Sequence, residues 1–268
     1  MQQILSNAAL LIALLAAFSI IEAGLPFMAR PALRRRVANL WLMAAIFLVN
    51  AALTFVAAAM LGWLPANHAG LLAMAHPSLL ISVIATVVVL DLATYGAHMA
   101  LHKLPILWHI HRVHHSDRFV DATTAFRQHP FETLWRFVCQ IVPIMLLGLP
   151  LSVVVVYRLL SSINSVLEHS NITIGKATDS LASSLLVTPN MHKIHHSRAK
   201  LETDSNYGNL LSLWDRLFRT FTPTPRAYRI EYGLDEIDAR RSASIGRLLL
   251  MPFSKVLPAG PRSRAKGQ

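Results

Sequence analysis

The chain has 268 residues, of which 54% are hydrophobic and only 15% are charged, a composition that excludes an ordinary water-soluble domain. The net charge is +11, but residues 1–29 and 37–102 contain no Lys or Arg, a segregation that fits the positive-inside rule of membrane proteins. No basic residues alternate with aromatic ones as in single-strand binders, so we expect no nucleic-acid partner.

Two membrane-spanning helices are predicted in the first part of the chain. Residues 4–25 are nearly continuously apolar, and about twenty such residues cross the hydrocarbon core of a bilayer as a helix. The arginines of residues 30–36 follow as an interfacial stop, and residues 37–62 form the second span. Residues 63–77 then make a connection without Lys or Arg.

The third predicted span, residues 78–97, runs directly into His98. Asp91 lies seven residues before this histidine and therefore on the same face of the helix. A carboxylate inside a membrane is costly and usually functional. We therefore expect Asp91 to accept a hydrogen bond from the N–H of an imidazole.

Three groups of closely spaced histidines hold eight of the chain's thirteen. The first pairs His98 with His102, and the spacing His-x-x-His-His occurs twice, at residues 111–115 and 192–196. Positions i, i+3 and i+4 share a helix face, so each group is predicted to aim its imidazoles at one point. Imidazole binds transition metals, and buried imidazoles without a partner are costly. Eight ligands exceed the needs of one tetrahedral ion, which predicts two metals.

An interrupted apolar run lies between the second and third groups of histidines. Residues 103–136 are too polar to span a membrane, whereas residues 137–160 are apolar again. Residues 148–150, Gly-Leu-Pro, break a helix in the middle of this run. The run is therefore either one kinked span or two half-length helices that form a hairpin.

The rest of the chain is mostly polar. Residues 171–208 are predicted to form a cap that carries the third group of histidines. Two amphipathic stretches follow, residues 209–221 and residues 240–253, and the second combines arginines with leucines as interfacial helices do. The last dozen residues have the composition of a disordered tail.

This order of histidine motifs resembles the fatty acid hydroxylase / sterol desaturase superfamily of integral-membrane di-iron oxygenases. Three further segments match that superfamily, namely Arg127-Gln-His129-Pro130, His169-Ser-Asn171, and Asn206-Tyr207-Gly208 followed by Trp214-Asp215-Arg216-Leu217-Phe218. The resemblance covers roughly residues 85–221. The motifs are specific for the superfamily in combination, but they do not separate its members.

The resemblance implies a site for two iron ions, although imidazole also suits zinc, which is a conceivable substitute. The implied ligands are His98, His102, His111, His114, His115, His169, His192, His195 and His196. Residues expected to orient these imidazoles are Asp91, His129, Asn164, Glu168 and Asn206. His129 suits the role of a helix cap equally well. The resemblance also favours the hairpin, because a hairpin returns His169 to the side of the other ligands.

The expected fold is an all-α, integral-membrane helical bundle of about three spans plus a hairpin or kinked span, with a cytoplasmic, histidine-rich helical cap. Its predicted parts are N-terminal transmembrane helices and a loop in residues 1–77, a catalytic domain in residues 78–221, and a C-terminal interfacial segment and flexible tail in residues 222–268.

The activity that the resemblance implies is hydroxylation or desaturation of a fatty acyl or sterol-like lipid with O2. Since no Gly-x-Gly-x-x-Gly fingerprint is present, we expect a separate ferredoxin-like or cytochrome-like electron donor.

We expect a multi-pass protein of the bacterial inner membrane. The charge distribution predicts its topology, with residues 30–36 and the metal site on the cytoplasmic side and residues 63–77 outside. His68 and His76 would then lie far from the metals.

Two other functions compete with the oxygenase. A zinc-dependent membrane hydrolase should carry a His-Glu-x-x-His motif, which is absent. A metal-handling membrane protein should place its ligands at the bilayer midplane between broken helices.

Overall fold

A computed structural model describes residues 2–28, 33–62, 70–237 and 244–254. Within these ranges the chain is helical and contains no β-strand, as predicted. The α-helices are α1 (Gln2–Gly24), α2 (Leu33–Gly62), α3 (Gly70–Met74), α4 (Leu79–Lys103), α5 (Pro105–His115), α6 (Pro130–Leu147), α7 (Leu151–His169), α8 (Lys176–Ala182), α9 (Pro189–His195), α10 (Lys200–Thr203), α11 (Leu213–Leu217) and α12 (Ile245–Leu250).

Four of these helices, α2, α4, α6 and α7, are long and apolar enough to cross a membrane. They expose large apolar side chains such as Phe55, Ile84 and Val156, which suit a lipid environment. The described apolar part of α1, Ala9–Gly24, is shorter than these four. The chain is therefore a multi-pass membrane protein, because a helix satisfies its own backbone hydrogen bonds in lipid.

The interrupted apolar run folds as a helical hairpin of α6 and α7, with 18 and 19 residues. This confirms the hairpin that the resemblance favours over a single kinked span, but its helices are longer than the predicted half-length ones, because α6 begins seven residues earlier than its apolar part, at Pro130. Gly148 ends α6 with φ 66°, a left-handed conformation that favours glycine. Helix α3 packs against this turn, where a Cβ on Gly70 would lie 2.3 Å from the Gly148 nitrogen.

The polar cap is assembled where α2 and α6 begin and where α4 and α7 end. Helix α5 follows α4 after a single residue, Leu104, so the first two groups of histidines lie close together. A buried ion-pair network joins α2 to the cap: Arg35 contacts Asp117 and Asp121, and Arg36 Nε lies 2.9 Å from Asp121 Oδ2. These two arginines therefore lie at the same end of the bundle as the histidines.

Asp91 joins α4 to α7 and to the segment before α11. Its carboxylate accepts four hydrogen bonds, from the backbone N–H of Leu210 (3.3 Å) and of Leu211 (3.0 Å), from Trp214 Nε1 (2.9 Å) and from the Tyr157 hydroxyl (3.1 Å). The prediction that Asp91 orients an imidazole is therefore wrong. Seven residues amount to about 10 Å along a helix, so the carboxylate lies too deep in the bundle to reach the ligands.

Both C-terminal amphipathic stretches contain a short helix. Helix α11 lies within residues 209–221, and α12 lies within residues 244–253, the described part of the second stretch. Leu248 of α12 is fully buried against Leu42 of α2 and Val113 of α5, so this helix is part of the cap. The predictions for Arg30, His68, Arg240, Arg241 and the final tail concern residues outside the described ranges.

Candidate metal centre

Nine histidines meet in two groups at the cap end of the bundle. Cluster A contains His98, His102, His111, His115 and His195, and cluster B contains His114, His169, His192 and His196. Within each cluster the candidate ligand atoms lie within 4.8 Å of one another. The structure thus brings together all nine histidines that the sequence nominates as ligands, in two centres.

Each His-x-x-His-His group contributes to both clusters. His111 and His115 belong to cluster A, whereas His114 belongs to cluster B; in residues 192–196 only His195 joins cluster A. The prediction that each group aims at one point is therefore wrong for these two groups, whereas His98 and His102 do share cluster A. Positions i and i+4 differ by about 40° around a helix, but positions i+3 and i+4 differ by about 100°. This spacing suits a helix that lies between two metal ions.

Five imidazoles are held through Nδ1 by carbonyl or carboxylate oxygens. The pairs are His98 with the Tyr207 carbonyl (2.9 Å), His195 with the Ser205 carbonyl (2.8 Å), His169 with the Ser165 carbonyl (2.7 Å), His114 with the Arg127 carbonyl (3.3 Å) and His111 with Glu132 Oε2 (2.9 Å). Carbonyl and carboxylate oxygens accept, so Nδ1 donates, and a neutral imidazole then carries its lone pair on Nε2.

These lone pairs face one another inside the clusters. His98 Nε2 lies 3.2 Å from His111 Nε2, and His114 Nε2 lies 3.1 Å from His169 Nε2. Neither contact can be a hydrogen bond between neutral rings, because each of the four imidazoles donates from Nδ1. Two nitrogens that are each about 2.1 Å from one metal ion are separated by about 3.0–3.4 Å. The donor sets therefore fit metal ions.

Burial keeps several histidines of the clusters in the neutral form that binds metals. Desolvation lowers the pKa of His195 to about 3, and burial followed by repulsion from neighbouring imidazoles lowers the pKa of His114 and His192 well below the usual value. His195 Nε2 is buried without a hydrogen-bond partner among the described residues. Such an atom is costly unless it binds a ligand.

Two glutamates lie beside the clusters. Glu132 is buried in the first turn of α6, where it accepts from His111 and pairs with Arg136 at 2.9 Å. In the sequence Glu132 is one of several polar residues near the histidines that could orient an imidazole, and only its position just after Pro130, in the first turn of a helix, distinguishes it. Glu168, a predicted orienting residue, lies beside cluster B with Oε1 3.9 Å from His192 Nε2, beyond hydrogen-bond distance.

The remaining predicted orienting residues support the backbone, which corrects the assignments of Asn164 and Asn206 as well as that of Asp91, whereas His129 takes the predicted alternative role of a helix cap. His129 caps α6, since its Nδ1 accepts from the Phe131 N–H. Asn164 Nδ2 donates to the Asn209 carbonyl at 2.6 Å. Asn206 holds its loop through the carbonyls of residues 191 and 222. Each of these side chains hydrogen-bonds to a backbone group rather than to an imidazole of the clusters.

A cavity of about 200 Å³ leads from the clusters into the membrane-spanning part of the bundle. His98 of cluster A and His114, His169 and His192 of cluster B line its inner end. Its wall combines apolar side chains of α2 with polar side chains of α6 and α7. A lipid chain that enters between these helices would thus have direct access to both clusters.

Three relatives illustrate what the chain is similar to. Ornithine lipid hydroxylase OlsE of Rhizobium tropici is 30% identical over 173 residues, which cover 65% of this chain and 50% of OlsE. Alkylglycerol monooxygenase of Danio rerio is 34% identical over 146 residues, 54% of this chain and 31% of the relative. Fatty acid hydroxylase vlmA of a Lecanicillium species is 27% identical over 145 residues, 50% of this chain and 40% of the relative. The matched region thus spans half or less of each relative.

No solved structure matches the chain. A family model described as fatty acid hydroxylase matches residues 83–220, just over half of the chain. That region contains all nine histidines of the two clusters, together with Glu132. The chain belongs to the fatty acid hydroxylase family.

Proposed function

We propose that this protein is a membrane di-iron oxygenase that hydroxylates a lipid with O2. The observation that carries the proposal is the convergence of unprotonated Nε2 atoms in two clusters at the inner end of a cavity among membrane-spanning helices. The names of the relatives support a lipid substrate, since they are hydroxylases or monooxygenases of ornithine lipids, alkylglycerols and fatty acids. Desaturation, the other outcome implied by the sequence motifs, has no such support.

In this proposal clusters A and B hold one iron each, and the irons supply the oxidant that an unactivated C–H bond requires. The protein holds the imidazoles in one tautomer through Glu132 and four backbone carbonyls, which raises the basicity of the ligating nitrogens. The apolar wall of the cavity excludes water and orients the acyl chain, so that one carbon lies beside the clusters.

The electrons are proposed to come from a separate, ferredoxin-like or cytochrome-like protein. Hydroxylation consumes O2 with a pair of electrons and a pair of protons and releases water, and the sequence lacks a dinucleotide fingerprint. Exposed Lys103, Arg198 and Lys200 lie on the cap near the clusters. Positive charge there would steer an acidic donor by electrostatic attraction.

The test is reconstitution of purified, iron-loaded protein with bacterial lipids under ¹⁸O2. We expect no product with NAD(P)H and O2 alone, and a lipid carrying one labelled oxygen once a ferredoxin and its reductase are added. Turnover without a protein donor would contradict the separate donor. Cleavage of the lipid without O2 by a zinc-loaded protein would support the hydrolase, and metal flux across vesicles would support a metal-handling protein.

Topology gives a second test. The connection before α4 is proposed to lie outside and the cap inside, because the basic residues of α2 lie at the cap end. In a Cys139→Ser background, His76→Cys should react with a membrane-impermeant maleimide in intact cells. Leu201→Cys should not, although Leu201 is 90% exposed on the cap. The reverse pattern of labelling would contradict the proposed orientation.

A further inference from the structure

We propose that Arg158 binds the anionic group, a carboxylate or a phosphate, of the lipid whose opposite part reaches the histidine clusters. This inference rests on the proposed function and names the class of substrate. It concerns the end of the cavity that lies farthest from the metals.

Arg158 occupies an unusual place for a charged residue. It lies within the membrane-spanning helix α7, eleven residues before His169, and its side chain lines the cavity. Eleven residues of α-helix correspond to about 16 Å. A charge at such a depth is costly, and intramembrane charges usually face a cavity and take part in binding.

The charge of Arg158 has no partner of opposite sign within ion-pair distance in the part of the chain that the structure describes. Its Nη2 donates to Asn50 Oδ1 of α2 at 3.2 Å, a neutral acceptor. The second arginine of the cavity differs, because Arg136 donates twice to Glu132, from Nε at 3.0 Å and from Nη2 at 2.9 Å. Only the Arg158 guanidinium is thus left to pair with an anion that enters from outside.

The shape of the guanidinium narrows the ligand class. Arginine presents a planar fork of N–H donors that pairs with carboxylate or phosphate through two parallel hydrogen bonds. Between this fork and the clusters the cavity wall includes Met43, Ile46, Phe47 and Phe137, which suit an apolar chain. The order along the cavity is therefore an anion site, an apolar stretch and the metal-binding end.

The test measures binding of a radiolabelled long-chain fatty acid, a lysophosphatidic acid and a long-chain alcohol to detergent-solubilised protein. For Arg158→Gln we expect about a ten- to hundredfold weaker affinity for an acidic lipid, the loss of a charge-assisted hydrogen-bonded pair. The affinity for the alcohol should be unchanged, and Arg158→Lys should retain part of the preference. Arg34→Gln, which removes the same charge from an exposed position on α2, is the matched control.

The two acidic probes separate the sources of the anion: preference for the fatty acid identifies a carboxylate, and preference for the lysophosphatidic acid identifies a phospholipid headgroup. Equal affinity of the wild-type and Arg158→Gln proteins for acidic lipids would overturn the inference, as would an equal loss for acid and alcohol. Because binding is measured without turnover, an Arg158-dependent preference in a protein that oxidises no lipid would refute the oxygenase and leave the anion site standing.

Discussion

Replacing His114 or His195 with alanine is expected to remove iron and activity together. His114 belongs to cluster B and His195 to cluster A. In the proposed di-iron centre each change would therefore leave one ion with a missing ligand. The neighbouring rings would then face one another with unpaired lone pairs, as His98 and His111 do at 3.2 Å. We expect the iron content to fall by at least one ion per chain and lipid hydroxylation to fall below detection.

The controls come from histidines outside the clusters. His109 lies on α5 between the ligands, but its Nδ1 is 3.2 Å from the Pro252 carbonyl, and His76 lies in the exposed connection before α4. Their alanine variants should keep both iron and activity. All four variants should insert in the membrane, because the apolar spans are unchanged. Elemental analysis beside product formation makes the comparison, and a His114→Ala protein with full iron and activity would contradict the site.

Hydropathy and histidine spacing were enough to predict much of this molecule. Each long apolar run became a helix, since a membrane span needs only length and composition. Eight of the nine clustered histidines are visible as i, i+3 and i+4 patterns. The ninth, His169, stands alone in the sequence and was identified only by its resemblance to a family motif. Its partners in cluster B come from α5, from α9 and from the residue that follows α9, contacts that no local pattern reveals.

The orienting groups were poorly predicted for a physical reason. Four of the five carbonyl or carboxylate acceptors that hold Nδ1 atoms are backbone carbonyls, and every residue type has one. The start of α6 was detectable in principle, because Pro130 occupies its first turn and Glu132 follows. The polar side chains of its first two turns concealed this start of an otherwise apolar helix. Glu132 pairs there with Arg136 and also accepts from His111.

Replacing Asp91 with alanine is expected to cost several kcal/mol of stability, although the residue touches no ligand. The substitution leaves four buried donors without their acceptor, two backbone N–H groups, the Trp214 indole and the Tyr157 hydroxyl. An unsatisfied buried group costs about 1–3 kcal/mol, and neighbouring losses do not simply add. The matched variant Asp91→Asn keeps one acceptor oxygen and the same shape, so its loss should be smaller.

The effect of Asp91→Ala should extend to the metal centre. The segment that Asp91 anchors is continuous with Tyr207, whose carbonyl accepts from His98 Nδ1 at 2.9 Å. When that segment loosens, His98 loses the contact that fixes its tautomer, and outer contacts of this kind are worth about 10- to 100-fold in metal affinity. Thermal unfolding in detergent and iron retention during dialysis against a chelator measure the two consequences separately. A variant with lowered unfolding temperature but full iron retention would show that Tyr207 is held without Asp91, and wild-type behaviour in both assays would contradict the proposed anchor.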